Sequence, residues 1–135
     1  MITAVDTTVL LDIFGADPTF GPRSRDALHA CAGEGALVAC VAVWAETTSA
    51  FPSADTAREA LEQLEVAFSP TSRDVASDAG MIWRQYRRSG GPRTRVAADF
   101  LIGAHAIGIA DRLLTRDSGF YRKYFKRLAI VNPST

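Results

Sequence analysis

Residues 36–45 read Ala-Leu-Val-Ala-Cys-Val-Ala-Val-Trp-Ala, ten apolar residues in succession after Gly35. Such a run cannot cross a bilayer, which needs about 20 residues. Its first part, residues 36–41, is apolar at every position and follows a glycine. That is the mark of a strand covered on both faces, as in a parallel sheet. From about Val43 to Phe51 a helix is expected, stopped by Pro52.

The alternation continues on both sides of this pair. Upstream, Ile2–Val5 is a strand candidate. Asp6 or Thr7 can then cap a helix carrying Val9, Leu10, Ile13 and Phe14, which stops at Gly15. Residues 15–22 read as a loop, and Pro22 suits the first turn of a second helix ending near Gly33. Downstream, Ala57, Ala60, Leu61, Leu64 and Phe68 recur at helical spacing, with a short strand at Val66–Phe68 competing for the end. Thr71 or Ser72 can cap the next helix, whose apolar face holds Val75, Ala79, Ile82 and Tyr86. After a loop at 89–92, residues 96–109 predict a small apolar helix, 112–115 a strand, 118–125 a short helix and 128–131 a last strand. Strands alternating with helices predict an α/β chain: a three-layer α/β/α sandwich with a mostly parallel central sheet, one domain over residues 1–135.

Hydrophobic residues form 47% of the chain and charged residues 22%, enough apolar side chain for a core and too few charges for disorder. Cys31 and Cys40 offer neither a disulfide scaffold nor a CxxC site. The opening Met-Ile-Thr-Ala-Val-Asp lacks a basic n-region, so the expectation is a cytoplasmic, reduced protein with no membrane association. Formal net charge is zero but unevenly spread. Up to Trp83 there are twelve acids against four basic residues, and from Arg84 onward eleven basic residues against three acids. That asymmetry points to a polyanion or a charged protein partner.

In parallel sheets, ligands bind beyond the carboxyl ends of the strands. Asp6 follows the first strand, and Asp117 follows the strand at 112–115. Glu46 is expected in the first turn of the helix after residues 36–41, and Asp99 in the first turn of the helix at 96–109. All four fall on one edge. Each alone reads as a helix cap or a dipole partner. Together they repel, by about 4 kcal/mol for two carboxylates at about 4 Å in an effective dielectric near 20. Protons, basic side chains or a cation must neutralise such a group. All-oxygen donors suit hard Mg²⁺ or Mn²⁺, ions that serve phosphodiester cleavage. Gly103 and Ala106 continue the face of Asp99 and are expected to bring that helix close to the sheet. Thr7, Thr115 and Ser118 place hydroxyls beside the acids, as supports or as caps.

The segments Val5-Asp6-Thr7-Thr8-Val9-Leu10-Leu11, Trp44-Ala45-Glu46, residues 98–106 (Ala-Asp-Phe-Leu-Ile-Gly-Ala-His-Ala) and residues 114–120 (Leu-Thr-Arg-Asp-Ser-Gly-Phe) resemble PIN-domain ribonucleases, in particular the VapC toxins of bacterial toxin–antitoxin pairs. The resemblance implies a Mg²⁺- or Mn²⁺-dependent endoribonuclease with Asp6, Glu46, Asp99 and Asp117 as catalytic and metal-holding residues. It further implies an RNA substrate, a cognate antitoxin and a homodimer. Thr8 departs from the Asn or Ser frequent in that family, which weakens any supporting role for it.

Arg84, Arg87, Arg88, Arg93 and Arg95 lead into the loop before Asp99, and read as an RNA-backbone cradle or as a solvated helix end. Arg116 can contact phosphate or balance the acids. Asp12 is expected in a solvated last turn, with an approach to the site from the first helix as the alternative, and His29 and His105 at the surface or in packing. Two other classes compete. An aspartyl phosphatase wants a second Asp where Thr8 stands, and a downstream lysine other than Lys123 or Lys126. A non-catalytic RNA- or protein-binding module on the same scaffold would lack metal-dependent turnover.

Overall fold

A computed structural model of the chain describes residues 1–134. Its strands are β1 (Ile2–Val5), β2 (Ala36–Ala39), β3 (Val66–Phe68), β4 (Arg112–Leu114) and β5 (Ile130–Val131). Its helices are α1 (Thr7–Phe14), α2 (Gly21–Glu34), α3 (Val41–Thr48), α4 (Ala54–Gln63), α5 (Arg73–Arg88), α6 (Ala97–Ile109) and α7 (Ser118–Tyr124). The strands form one sheet in the order β3-β2-β1-β4-β5, and every pairing is parallel. The expected α/β/α sandwich is what forms. No helix among the described residues is long and apolar enough to cross a membrane.

The order of the strands makes the site. The chain lays β2 and β3 on one side of β1, then returns to lay β4 and β5 on the other. The direction of winding reverses between β1 and β4, which opens a crevice at their carboxyl ends. Val5 pairs with Leu114 there, and the Asp6 N–H donates to Leu114 O at 2.9 Å. The residues after β1 and β4 are thus held side by side.

Several boundaries shift. The strand expected at 36–41 ends at Ala39, and α3 starts at Val41 rather than near Val43, because Cys40 takes an extended N-cap conformation. An unbroken apolar run does not mark where strand gives way to helix. The competition near Phe68 resolves in favour of the strand. Glu65 adopts a left-handed backbone (φ 62°), which ends the α4 segment and releases Val66–Phe68 to pair with β2.

The core packs Val5, Val9, Leu10, Leu28, Leu37, Leu61 and Leu113 between sheet and helices, all buried. Burying each such side chain contributes roughly 1.5–3 kcal/mol. Beside it stands an aromatic cluster. Phe100 stacks on Trp83 at 5.9 Å and meets Tyr86 and Phe120 edge-on at 5.3 and 5.5 Å. Gly103 serves this cluster rather than the sheet as expected: a Cβ there would stand 2.5 Å from Phe125 Cζ. The absent side chain lets the Phe125 ring lie on α6, one turn after Asp99. Gly103→Val is therefore predicted to destabilise the fold by about 1–3 kcal/mol in urea unfolding, with a smaller loss in a Phe125→Leu background.

Candidate functional site

Asp6 is the N-cap of α1 and is buried, with 4% of its surface exposed. Its Oδ1 accepts from the Thr7 N–H at 2.8 Å. Its Oδ2 accepts from the Thr115 hydroxyl at 2.6 Å and the Thr8 hydroxyl at 3.1 Å. Each hydroxyl is oriented in turn by a backbone N–H of the loop after β4: Asp117 N donates to Thr115 Oγ1 at 2.9 Å, and Arg116 N to Thr8 Oγ1 at 3.4 Å. Two threonines therefore tie the Asp6 carboxylate to the loop that carries Asp117. Thr8, whose role the sequence left open, is one of them.

Burial pushes the Asp6 carboxyl up to about 6; the hydrogen bonds oppose that rise and the charge of Asp117 adds to it. Tyr121 lies buried nearby, its phenol raised by burial and then by the charges of Asp6, Asp99 and Asp117. Three carboxylates from three separate elements thus act on one ring.

Asp99, in the first turn of α6, accepts from the Val96 N–H at 3.1 Å. Asp117 is gripped by Arg95: NH1 bonds its Oδ2, and NH2 lies 3.2 Å from Oδ1. The same NH1 is 3.9 Å from Asp99 Oδ1. Glu46 is exposed on α3, past the first turn where the sequence placed it because the helix starts at Val41, and its Oε1 accepts from the Thr7 hydroxyl at 2.7 Å. It thereby reaches the residue next to Asp6. The four acids face one edge, but among the described residues no group of three or more His, Cys, Asp or Glu is arranged to hold a metal ion. A guanidinium stands between Asp99 and Asp117.

The remaining expected residues divide. Ser118 Oγ accepts from Asn132 Nδ2 at 2.9 Å, toward the end of the chain. Arg88 and Arg93 are exposed. Arg116 neither reaches outward nor pairs with the acid cluster: its Nε and NH2 bond Asp12 at 2.6 and 2.9 Å, and its guanidinium lies 4.0 Å from the Phe20 ring centroid. Asp12 is accordingly buried (5% exposed) rather than solvated, and it also accepts from the Ser24 hydroxyl at 2.7 Å. That pair, missed on the sequence, anchors the residue before Asp117 to α1 and α2. His105 is a packing residue: buried, its pKa lowered by burial, with Nε2 2.8 Å from Ser69 Oγ.

The PIN domain family model matches residues 3–126, a span that includes all four acids. The chain belongs to the PIN domain family. Among curated proteins none matches this PIN domain. Its fold is similar to VapBC2 from Rickettsia felis, solved bound to a DNA fragment from their promoter, with TM-score 0.75, 19% identity and 98% of each chain covered. It is similar as well to VapBC-1 from nontypeable Haemophilus influenzae (TM-score 0.75, 16% identity, 100% of both chains covered). A toxin–antitoxin complex from Klebsiella pneumoniae gives TM-score 0.68 at 20% identity over 97% of each chain.

The folded chain holds the Asp6 proton to higher pH than the unfolded chain, where the carboxyl has its ordinary value of 3.8. Without a bound cation, the Asp6 contribution is therefore present at low pH. Up to about 3 kcal/mol of stability is lost as pH rises from about 4 to about 6. His105 acts in the opposite direction, losing stability as pH falls below the usual His value. Urea unfolding of the native chain and of Asp6→Asn cancels that term. The native-minus-variant stability should fall between pH 4 and 6, and a flat difference contradicts the assignment.

Proposed function

We propose that this PIN domain is a divalent-cation-dependent endoribonuclease and the toxin of a toxin–antitoxin pair, with Asp6, Glu46, Asp99 and Asp117 as its metal-holding residues. One observation carries the reading. Asp99 and Asp117, from α6 and the loop after β4, meet on a single guanidinium close to the buried Asp6. Family membership supplies the nuclease class, and the likeness to toxin–antitoxin complexes supports the biological setting.

The donor chemistry suits a hard divalent ion, while among the described residues the arrangement with Arg95 in place does not yet bring three of the acids together. The donors are all carboxylate oxygens, a cationic group already sits between two of them, and burial makes the charged form of Asp6 costly, a cost that a cation would relieve. Mg²⁺ or Mn²⁺ would supply Lewis acidity at the phosphodiester and ease proton loss from water. The chain's own residues do the positioning. Thr8 and Thr115 hold Asp6 Oδ2, leaving Oδ1 with the Thr7 N–H as its bonded donor. Thr7 keeps Glu46 at the edge. Arg116 is committed to Asp12 and fixes the Asp117 loop. The exposed Arg88 and Arg93 bind the RNA backbone by phosphate contacts. The exposed Leu11, Val41 and Phe68, the last edge-on to Trp44 at 5.5 Å, offer apolar area for the antitoxin or a second copy. Such a toxin works in the cytoplasm, where RNA is met.

RNA cleavage should require Mg²⁺ or Mn²⁺ and stop with EDTA. Asp6→Asn and Asp99→Asn, folded by circular dichroism, should each lower cleavage beyond the about 10–100-fold that loss of an outer support costs. Thr115→Val should lower it within that range. Undiminished cleavage by the two carboxylate variants contradicts the reading. Metal-independent retention of RNA without cleavage would instead identify a binding module.

A further inference from the structure

Arg95 is the cation of this acidic edge in the chain as it folds. It lies just before α6, its side chain 28% exposed. It grips both oxygens of Asp117, and its NH1 is 3.9 Å from Asp99 Oδ1. Its guanidinium carbon lies 4.1 Å from the Phe120 ring centroid, so the planar group is held from below as well as from the side. Arg116, the other arginine close to the acids, is spent on Asp12. Arg95 is thus the one guanidinium among the described residues that bonds an acid of the tetrad.

That position conflicts with a divalent ion. The ion and Arg95 need the same carboxylate oxygens of Asp117. A dication about 4 Å from a guanidinium is repelled by about 8 kcal/mol at an effective dielectric near 20, twice the value for unit charges. We propose that Arg95 is an exchanging positioning residue. In the cation-free chain it holds Asp117, and when a divalent ion is held by Asp99 and Asp117 it leaves the carboxylates and takes an RNA phosphate. The guanidinium fork that matches two carboxylate oxygens matches two phosphate oxygens equally well. Anything that draws Arg95 to phosphate then raises the affinity of the carboxylates for the ion, and by linkage the ion raises the affinity for RNA. Cation and RNA load together. The inference rests on the metal-holding role proposed above.

The test is Mn²⁺ binding by calorimetry to the full chain, for the native protein, Arg95→Gln and Arg95→Lys, with folding checked by circular dichroism. Arg95→Gln should bind Mn²⁺ about tenfold more tightly than the native chain, an ordinary coupling between sites. Arg95→Lys, which keeps the charge but not the fork, should fall between them. A saturating short 2′-O-methyl oligoribonucleotide should tighten Mn²⁺ binding to the native chain and leave Arg95→Gln unchanged, a response that a purely structural arginine would not give. Equal or weaker binding by Arg95→Gln overturns the exchange while leaving the metal site standing. Absence of Mn²⁺ binding in every variant overturns both.

Discussion

The Asp6 carboxylate is buried at the seam of β1 and β4, and much of the structure around it can be understood as the means of keeping it there. Burial raises its proton affinity, and the Thr7 N–H with the hydroxyls of Thr8 and Thr115 opposes that rise. The hydroxyls do more than solvate a charge. Each accepts from a backbone N–H of the loop after β4, so the loop's path is set by the acid it serves. Removing any one partner leaves a polar group stranded in a dry place, where it costs about 1–3 kcal/mol. The network therefore acts as a unit linking two strands that are more than 100 residues apart in the chain.

Sheet order explains why this seam exists. A strand order that reversed elsewhere would separate Asp6 from Asp117. Because β4 returns to the free side of β1, the turn after each strand opens on the same crevice, and α6, descending into β4, brings Asp99 to its rim. Arg116 and the buried Asp12 clamp the far side of the loop by a half-buried, two-point ion pair, the geometry in which such a pair is strong. The site is polar and charged, whereas the support behind α6 is aromatic: Phe100, Phe120 and Phe125 fix the helix whose first turn carries Asp99. Gly103 is the notch that admits the last of these rings.

Much of this was legible in the residues. The apolar run after Gly35 located β2, because burial on both faces of a parallel sheet leaves no alternation to read. The edge on which Asp6, Glu46, Asp99 and Asp117 fall followed from chain order alone. What stayed hidden depends on pairs distant in sequence. Asp12 looked solvated because its partner lies 104 residues away. Ser118, read as a support or a cap, accepts from the Asn132 amide, a partner that adjacency to Asp117 does not reveal. Gly103 looked like a sheet contact because the ring against it belongs to a helix end that sequence spacing does not place. The end of β2 was blurred by an apolar run that serves strand and helix alike.

The account's central claim is that the acids at the β1–β4 seam form a divalent-cation site. Its most direct test is anomalous diffraction from crystals grown with Mn²⁺. The account predicts a Mn²⁺ peak bounded by Asp6, Asp99 and Asp117, with Arg95 turned away from Asp117. A fully occupied Mn²⁺ bound elsewhere, with the seam still closed by the Arg95–Asp117 pair, would contradict it.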